Sequence, residues 1–333
     1  MDSLTQLTLG AAVGEAVAGR QFGRRAMLWG AVCGTFPDLD VFIPLGDAVR
    51  DFTYHRSFSH SLFVLALLTP LFVWLILKLH PGTRDHRTRW AWLVGLVFLT
   101  HVLLDCFTVY GTQIFWPFVT TPVGWSTVFI IDPLYTLPLM IGLLAILVWR
   151  GNPEKARRLN RAGLMLSTLY LGWTVAAKLE VERVARDQLA GMGLSDAPLL
   201  STPAPFNSLL WRYVVMTDDG YLEGFRSMLD GDAPILFTPH QSATHLLVDL
   251  EDAWSVERLA WFSRGFYRVM ERDGGIVISD LRMGLEPNYV FSFRVADLAN
   301  PHPRSITPVR MPEVRDLSRL QWVWARISDH KAS

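Results

Sequence analysis

Apolar side chains fill the first 180 positions in long runs, near residues 3 to 18, 26 to 43, 60 to 78, 90 to 109, 128 to 149 and 162 to 179. A helix needs ~20 such residues to cross the ~30 Å hydrocarbon core of a bilayer. The runs therefore predict an α-helical, multi-pass membrane domain of about six helices over residues 1 to 180. The third to fifth runs are continuous, the sixth contains Thr168 and Thr174, and the first two are short and glycine-rich, with Pro37 interrupting the second. Those two are expected as broken or tilted helices.

Beyond Glu180 the apolar runs shorten and acidic and basic residues intermix, which predicts a small α+β soluble domain over 181 to 333. Residues 211 to 216 and 221 to 226 flank Asp218-Asp219-Gly220 as a hairpin, and 267 to 272 and 276 to 282 flank Asp273-Gly274-Gly275 as a second. Between them, 253 to 266 has helical periodicity, and 288 to 295 adds a strand. Pro203 and Pro205 mark the expected link into this domain.

Charge gives the domain a side. Arg20, Arg24 and Arg25, then Lys78, Arg84, Arg87 and Arg89, then Arg150, Lys155, Arg157, Arg158 and Arg161 lie in alternate loops, while the intervening loops carry only Arg50 and Arg56. By the positive-inside rule the basic loops are cytoplasmic, and six crossings place the domain after residue 180 extracytoplasmic. The formal net charge is zero, with 31 basic and 31 acidic residues. That balance excludes a nucleic-acid-binding protein, which would show a basic excess. The two cysteines, Cys33 and Cys106, lie in apolar runs and are too few for a zinc ribbon or a disulfide framework.

Ionisable residues inside membrane segments are costly, so a cluster of them suggests function. Asp38 and Asp40, His55, Arg56 and His60, His101 and Asp105, and Asp132 come from four of the apolar segments and their edges. At ~1.5 Å per residue, Asp38, His101 and Asp105 rise roughly 18, 16 and 22 Å from the cytoplasmic ends of their spans. They therefore meet at one level in the outer half of the membrane. His101 and Asp105, at i and i+4, share a helical face and can reach one ion. His55 and His60 diverge on a continuous helix, so His55 is expected in a loop and His60 in a first helical turn capped by Ser57 or Ser59. Mixed imidazole and carboxylate donors suit zinc, manganese or iron. Glu15 is expected to snorkel to the cytoplasmic surface, and His240 and His245 to be ordinary packing or surface residues.

The opening Met1-Asp2-Ser3-Leu4-Thr5-Gln6, with Gly14-Glu15-Ala16, Pro37-Asp38-Leu39-Asp40, His55-Arg56-Ser57-Phe58-Ser59-His60-Ser61, His101-Val102-Leu103-Leu104-Asp105, Thr108 to Gln113 and Ile131-Asp132-Pro133-Leu134-Tyr135, resembles the YdjM family of bacterial inner-membrane metal-dependent hydrolases. The resemblance covers about the first 180 residues and implies phosphoester hydrolysis at bound metal. Many relatives carry His where this chain has Gln6, so the amide there is expected to act from behind the ligands, through a water.

The expected centre is then one or two divalent ions held by His55, His60, His101 and Asp105, with Asp38 and Asp40 as further ligands. Whichever of Asp38 and Asp40 stays unbound is the general base, Arg56 meets phosphoryl charge, and Asp132 orients a ligand histidine. The depth predicts membrane lipid contact and a lipid or lipid-linked substrate. Two rival readings are an ion or proton transporter using the same side chains, and a membrane scaffold that meets a protein partner through residues 200 to 333.

Overall fold

A computed structural model describes residues 1–149, 151–312 and 318–329; Arg150, one of the basic loop residues, and part of the 200 to 333 partner surface lie outside them. The chain divides into two compact units. The first comprises Met1–Ile43 and Arg56–Thr174, and the second Pro44–His55 and Val175–Ser333.

Among the described residues six α-helices build the first unit: α1 (Ser3–Phe22), α2 (Arg24–Thr35), α4 (Leu62–Leu79), α5 (Arg87–Cys106), α6 (Pro133–Val148) and the start of α7 (Pro153–Gly191). The short α3 (Ala48–Tyr54) belongs to the second unit. Each of the six apolar runs contains helix, and among the described residues two helices, α4 and the stretch Pro81–Cys106, are long and apolar enough to cross a membrane. The helix α2 stops at Thr35, where Pro37 enters a 3-10 turn, Phe36–Phe42. Proline lacks the N–H an α-helix would need there.

Small residues draw α1 and α2 together. Gly10 and Gly14 face Ala26, Gly30 and Gly34, and a Cβ on Gly30 would stand 2.2 Å from the Gly10 carbonyl oxygen. Close backbone packing of this kind holds two helices together by van der Waals contact. The helix α5 is the hub: Trp90, Leu93, Val94, Val97 and Phe98 are buried along one stripe. His101 and Asp105 continue that stripe, so helical spacing that buries the apolar side chains also buries the ligands. Asn160 of α7 donates to the Ala12 carbonyl at 2.9 Å, and Ser167 to that of Tyr135 at 2.7 Å. Glu15 is buried beside Arg157 at 3.5 Å, and so does not reach the surface as expected; its neighbour's guanidinium offsets the charge.

In the second unit, strands β1 (Leu199–Pro203), β2 (Leu210–Thr217), β3 (Gly220–Ser227) and β4 (Leu236–Gln241) form one antiparallel sheet in sequence order. The second sheet runs β10-β9-β6-β5, from β5 (Tyr267–Arg272), β6 (Gly275–Asp280), β9 (Ser292–Asp297) and β10 (Arg304–Arg310). Both expected hairpins are present, and the expected helix is α8 (Trp254–Ser263). The strand expected over 288 to 295 is divided between β8 (Asn288–Tyr289), which pairs with β7 (Gly284–Leu285), and β9. Pro203 is not in a linker. It ends β1, an edge strand, where a missing N–H is tolerated. The chain instead enters this unit along α7, whose Ala177, Val181, Ala185 and Leu189 are buried at four-residue spacing. The first three pack with Trp211, Tyr213 and Ile235. A last helix, α9 (Ser318–Ser328), completes the described chain.

Candidate metal centre

Four side chains from three stretches of the first unit aim donor atoms at one point: Asp38 from the 3-10 turn after α2, His60 from a 3-10 turn before α4, and His101 and Asp105 from α5. His60 Nε2 lies 3.3 Å from Asp38 Oδ1, 3.2 Å from Asp105 Oδ2 and 3.2 Å from His101 Nε2. His101 Nε2 lies 3.7 Å from Asp38 Oδ1 and 3.5 Å from Asp105 Oδ2. Four ligands at ~2.0 to 2.1 Å from a tetrahedral zinc stand about 3.3 to 3.4 Å from each other. Five edges of such a tetrahedron are thus in place.

The protonation pattern tests the fit independently. His101 Nδ1 is 2.7 Å from the Gly34 carbonyl, which only accepts, so this nitrogen carries the hydrogen and leaves the Nε2 lone pair facing inward. Ser59 donates to Asp40 Oδ2 at 2.5 Å, so His60 Nδ1, 2.9 Å from the same hydroxyl, donates to it. With both rings neutral, these tautomers turn the two Nε2 lone pairs toward two carboxylate oxygens, a set of four acceptors suited to a cation. Asp105 Oδ2 and Asp38 Oδ2 are buried without a hydrogen-bond partner. Unpaired buried acceptors are costly unless something not built from protein meets them.

Behind this point Asp105 is held on its other oxygen. Oδ1 receives the amino group of Met1, Gln6 Nε2 at 3.0 Å and Arg56 Nη2 at 3.3 Å. Gln6 also donates to the His101 carbonyl at 3.1 Å, so it fixes two ligands directly rather than through a water. The glycine seam makes this contact, because a Cβ on Gly34 would stand 2.6 Å from the Gln6 backbone oxygen.

The other expected site residues have different places. Asp40 Oδ2 accepts from the Arg56 backbone N–H at 3.0 Å and from Ser59, and stands 4.0 Å from His60 Nδ1, on the far side of that imidazole. Arg56 is buried, with a left-handed φ of 62°, and its guanidinium also reaches Thr108 Oγ1 at 3.4 Å and the Met1 carbonyl at 3.3 Å. His55 ends α3 in the second unit, outside the group of four. Asp132 caps α6 through Leu134 N and Tyr135 N, and accepts from Tyr170 at 2.7 Å. His60 precedes the helix, and Ser61 rather than Ser57 or Ser59 caps α4. Sequence reading gave Ser59 only as a cap and missed both its bridge from Asp40 to His60 and the Gly34 carbonyl; glycines at four-residue spacing in both of the first two segments were the signal for the carbonyl.

This is a membrane protein with a His and Asp group able to hold a divalent metal. The profile described as YdjM inner membrane protein matches residues 1–181, and the chain belongs to that family. It is also similar to a protein of Bacillus subtilis (strain 168), YfhP, itself described as uncharacterized, with 26% identity over 248 residues, 72% of this chain and 71% of that one. No solved structure matches.

Proposed function

We propose that the protein is a metal-dependent hydrolase embedded in the bacterial inner membrane, acting on a phosphoester of a lipid or lipid-linked substrate. The observation that carries this reading is the convergence of two imidazole nitrogens and two carboxylate oxygens, with five of their separations between 3.2 and 3.7 Å. Imidazole and carboxylate donors in that geometry favour zinc, ahead of manganese or iron. Bound there, the ion supplies Lewis acidity that polarises a phosphoryl oxygen and brings the pKa of a water toward ~7.

The chain's own residues divide the remaining work. His60, His101 and Asp105 are buried and serve as the fixed holders. Asp38 is the member that solvent and substrate can reach, with its side chain 13% exposed; Oδ1 would hold the ion, and its second oxygen, Oδ2, which has no hydrogen-bond partner, would take the proton of the attacking water. Asp40 and Ser59 fix the tautomer of His60, as outer partners of metal-binding histidines commonly do. Arg56 offsets the charge on Asp105 Oδ1 and does not reach for phosphate. Beside Asp38, Leu39, Val41, Phe42 and Ile43 expose apolar side chains, Phe42 to 80%, which favours an amphiphile. The twelve basic residues of alternate loops support an extracytoplasmic position for the second unit.

The test is metal content by mass spectrometry on detergent-purified protein, with release of phosphorylated headgroup from phospholipid vesicles measured alongside. Wild type should carry stoichiometric metal and release product, His101→Ala neither, and Asp38→Asn should keep metal while losing turnover. Folded wild type without metal overturns the reading.

A further inference from the structure

The segment between the Asp38 and His60 ligands is a closed loop gripped at its tip. Its neck is Asp40 Oδ2, which accepts the Arg56 backbone N–H at 3.0 Å and so joins the two ends of residues 41 to 55. At fifteen residues the segment has the length of an Ω-loop, a class often functional. Inside it Asp47 caps α3, accepting from Val49 N at 3.0 Å and Arg50 N at 2.9 Å. The loop belongs to the second unit, although its ends belong to the first.

The tip is held by aromatic and hydrogen-bonded contacts. Phe52 is buried among Phe262 of α8, Phe291, which precedes β9, and Phe293 of β9, with ring centroids 4.8, 4.3 and 5.2 Å away. Arg258 of α8 donates to Thr53 Oγ1 at 3.0 Å and to the Thr53 carbonyl at 3.3 Å, and its guanidinium lies 4.4 Å from the Tyr54 ring. Arg50 lies over Trp254 at 4.6 Å. A fifteen-residue loop with a free tip would sample many conformations and carry that freedom into its neck.

We infer that the second unit is a positioning device for the metal centre: by clasping Phe52 and Thr53 it holds the loop whose two ends present Asp38 and His60. Phe52 and Arg258 are positioning residues. Neither belongs to the group of four, and their effect travels through the covalent chain from the clasp to the Asp40 and Arg56 neck. The inference rests on the metal-centre reading and assigns the second unit a role in it.

Cobalt(II) titration of metal-stripped, full-length protein in detergent, against a competing chelator, tests it. Wild type should bind cobalt with the visible absorption of a four-coordinate site. Phe52→Ala should weaken binding about tenfold, the range seen when outer partners of a metal site are removed, and Phe52→Leu should recover part of the loss. Arg258→Ala, which leaves the aromatic nest filled and so guards against misfolding of Phe52→Ala, should weaken it roughly threefold. Arg183→Ala, on the exposed face of α7, should leave it unchanged. Phe52→Ala and Arg258→Ala proteins that bind cobalt as wild type does overturn the clasp and leave the centre standing. A wild type that takes up no cobalt overturns the centre and the clasp with it.

Discussion

Two buried polar clusters, one in each unit, solve the problem of charge away from water in opposite ways. In the second unit Arg212 gives Nε to Glu223 at 2.6 Å and Nη1 to the Leu281 carbonyl at 2.6 Å, while Tyr221 and Arg268 both donate to Glu286, at 2.5 and 2.6 Å. Cation meets anion and every donor meets an acceptor. In the first unit Gln6, Asp38, Arg56 and Asp105 each keep a buried atom with no partner, and among the described residues all such atoms belong to the first unit. Burying an unpaired polar atom costs ~1 to 3 kcal/mol. The contrast teaches that burial and charge alone do not mark a metal centre. What marks it is that acceptors face acceptors.

The largest effect separates the clusters by what each lacks when broken. Asp105→Asn replaces the carboxylate that carries both an inward oxygen and three outer contacts, and metal content and turnover should fall together, turnover by about 10³-fold or more. The protein should stay folded by circular dichroism, since the amide keeps the shape. Unchanged metal content in that variant would remove Asp105 from the centre and reduce the two clusters to one kind.

Glu223→Ala asks the reverse. It strands the Arg212 guanidinium, which is 1% exposed, and breaking a buried pair in this way costs ~3 to 5 kcal/mol. Denaturant unfolding should show that loss in the second unit, and metal per chain in the folded protein should stay at the wild-type value. If metal departs instead, the second cluster supports the centre and the comparison fails.

The sequence made one part of each cluster legible. His101 and Asp105 were readable because i and i+4 on an apolar helix share a face, and Asp38 because its rise along the second run brings it to their level. The hairpin that carries Arg212 and Glu223 was readable from its turn. What stayed hidden depends on contacts made across the fold. His55 and His60 look alike in one string, yet the chain turns at Arg56, with its left-handed φ, and sends His55 with the second unit. Arg56 reads as a phosphate ligand until Asp105 and Met1 are seen to occupy it. Asp40 and Ser59 became partners of His60 only once a loop of fifteen residues closed on itself.

The smallest effect is a difference in acid. Burial raises the Glu286 carboxyl, but hydrogen bonds from Tyr221 and Arg268 outweigh it and hold it below the ordinary 4.5. Asp230 behaves alike: burial pushes up, and Arg326 with the Ser227 N–H pulls it below 3.8. A carboxylate depressed by folding stabilises the fold above its unfolded value, and that contribution fades as pH falls through the folded value. The second unit should therefore hold its stability down to about pH 4.5 and lose part of it below, seen as faster hydrogen exchange of the β3 and β6 amides. Tyr221→Phe removes one of the donors to Glu286, brings its folded value closer to the unfolded one, and should shrink the acid-linked loss while its onset stays near pH 4.5. A loss of unchanged size would mean that Arg268 alone holds Glu286 down, and that the second cluster is an ion pair with a tyrosine beside it rather than a shared network.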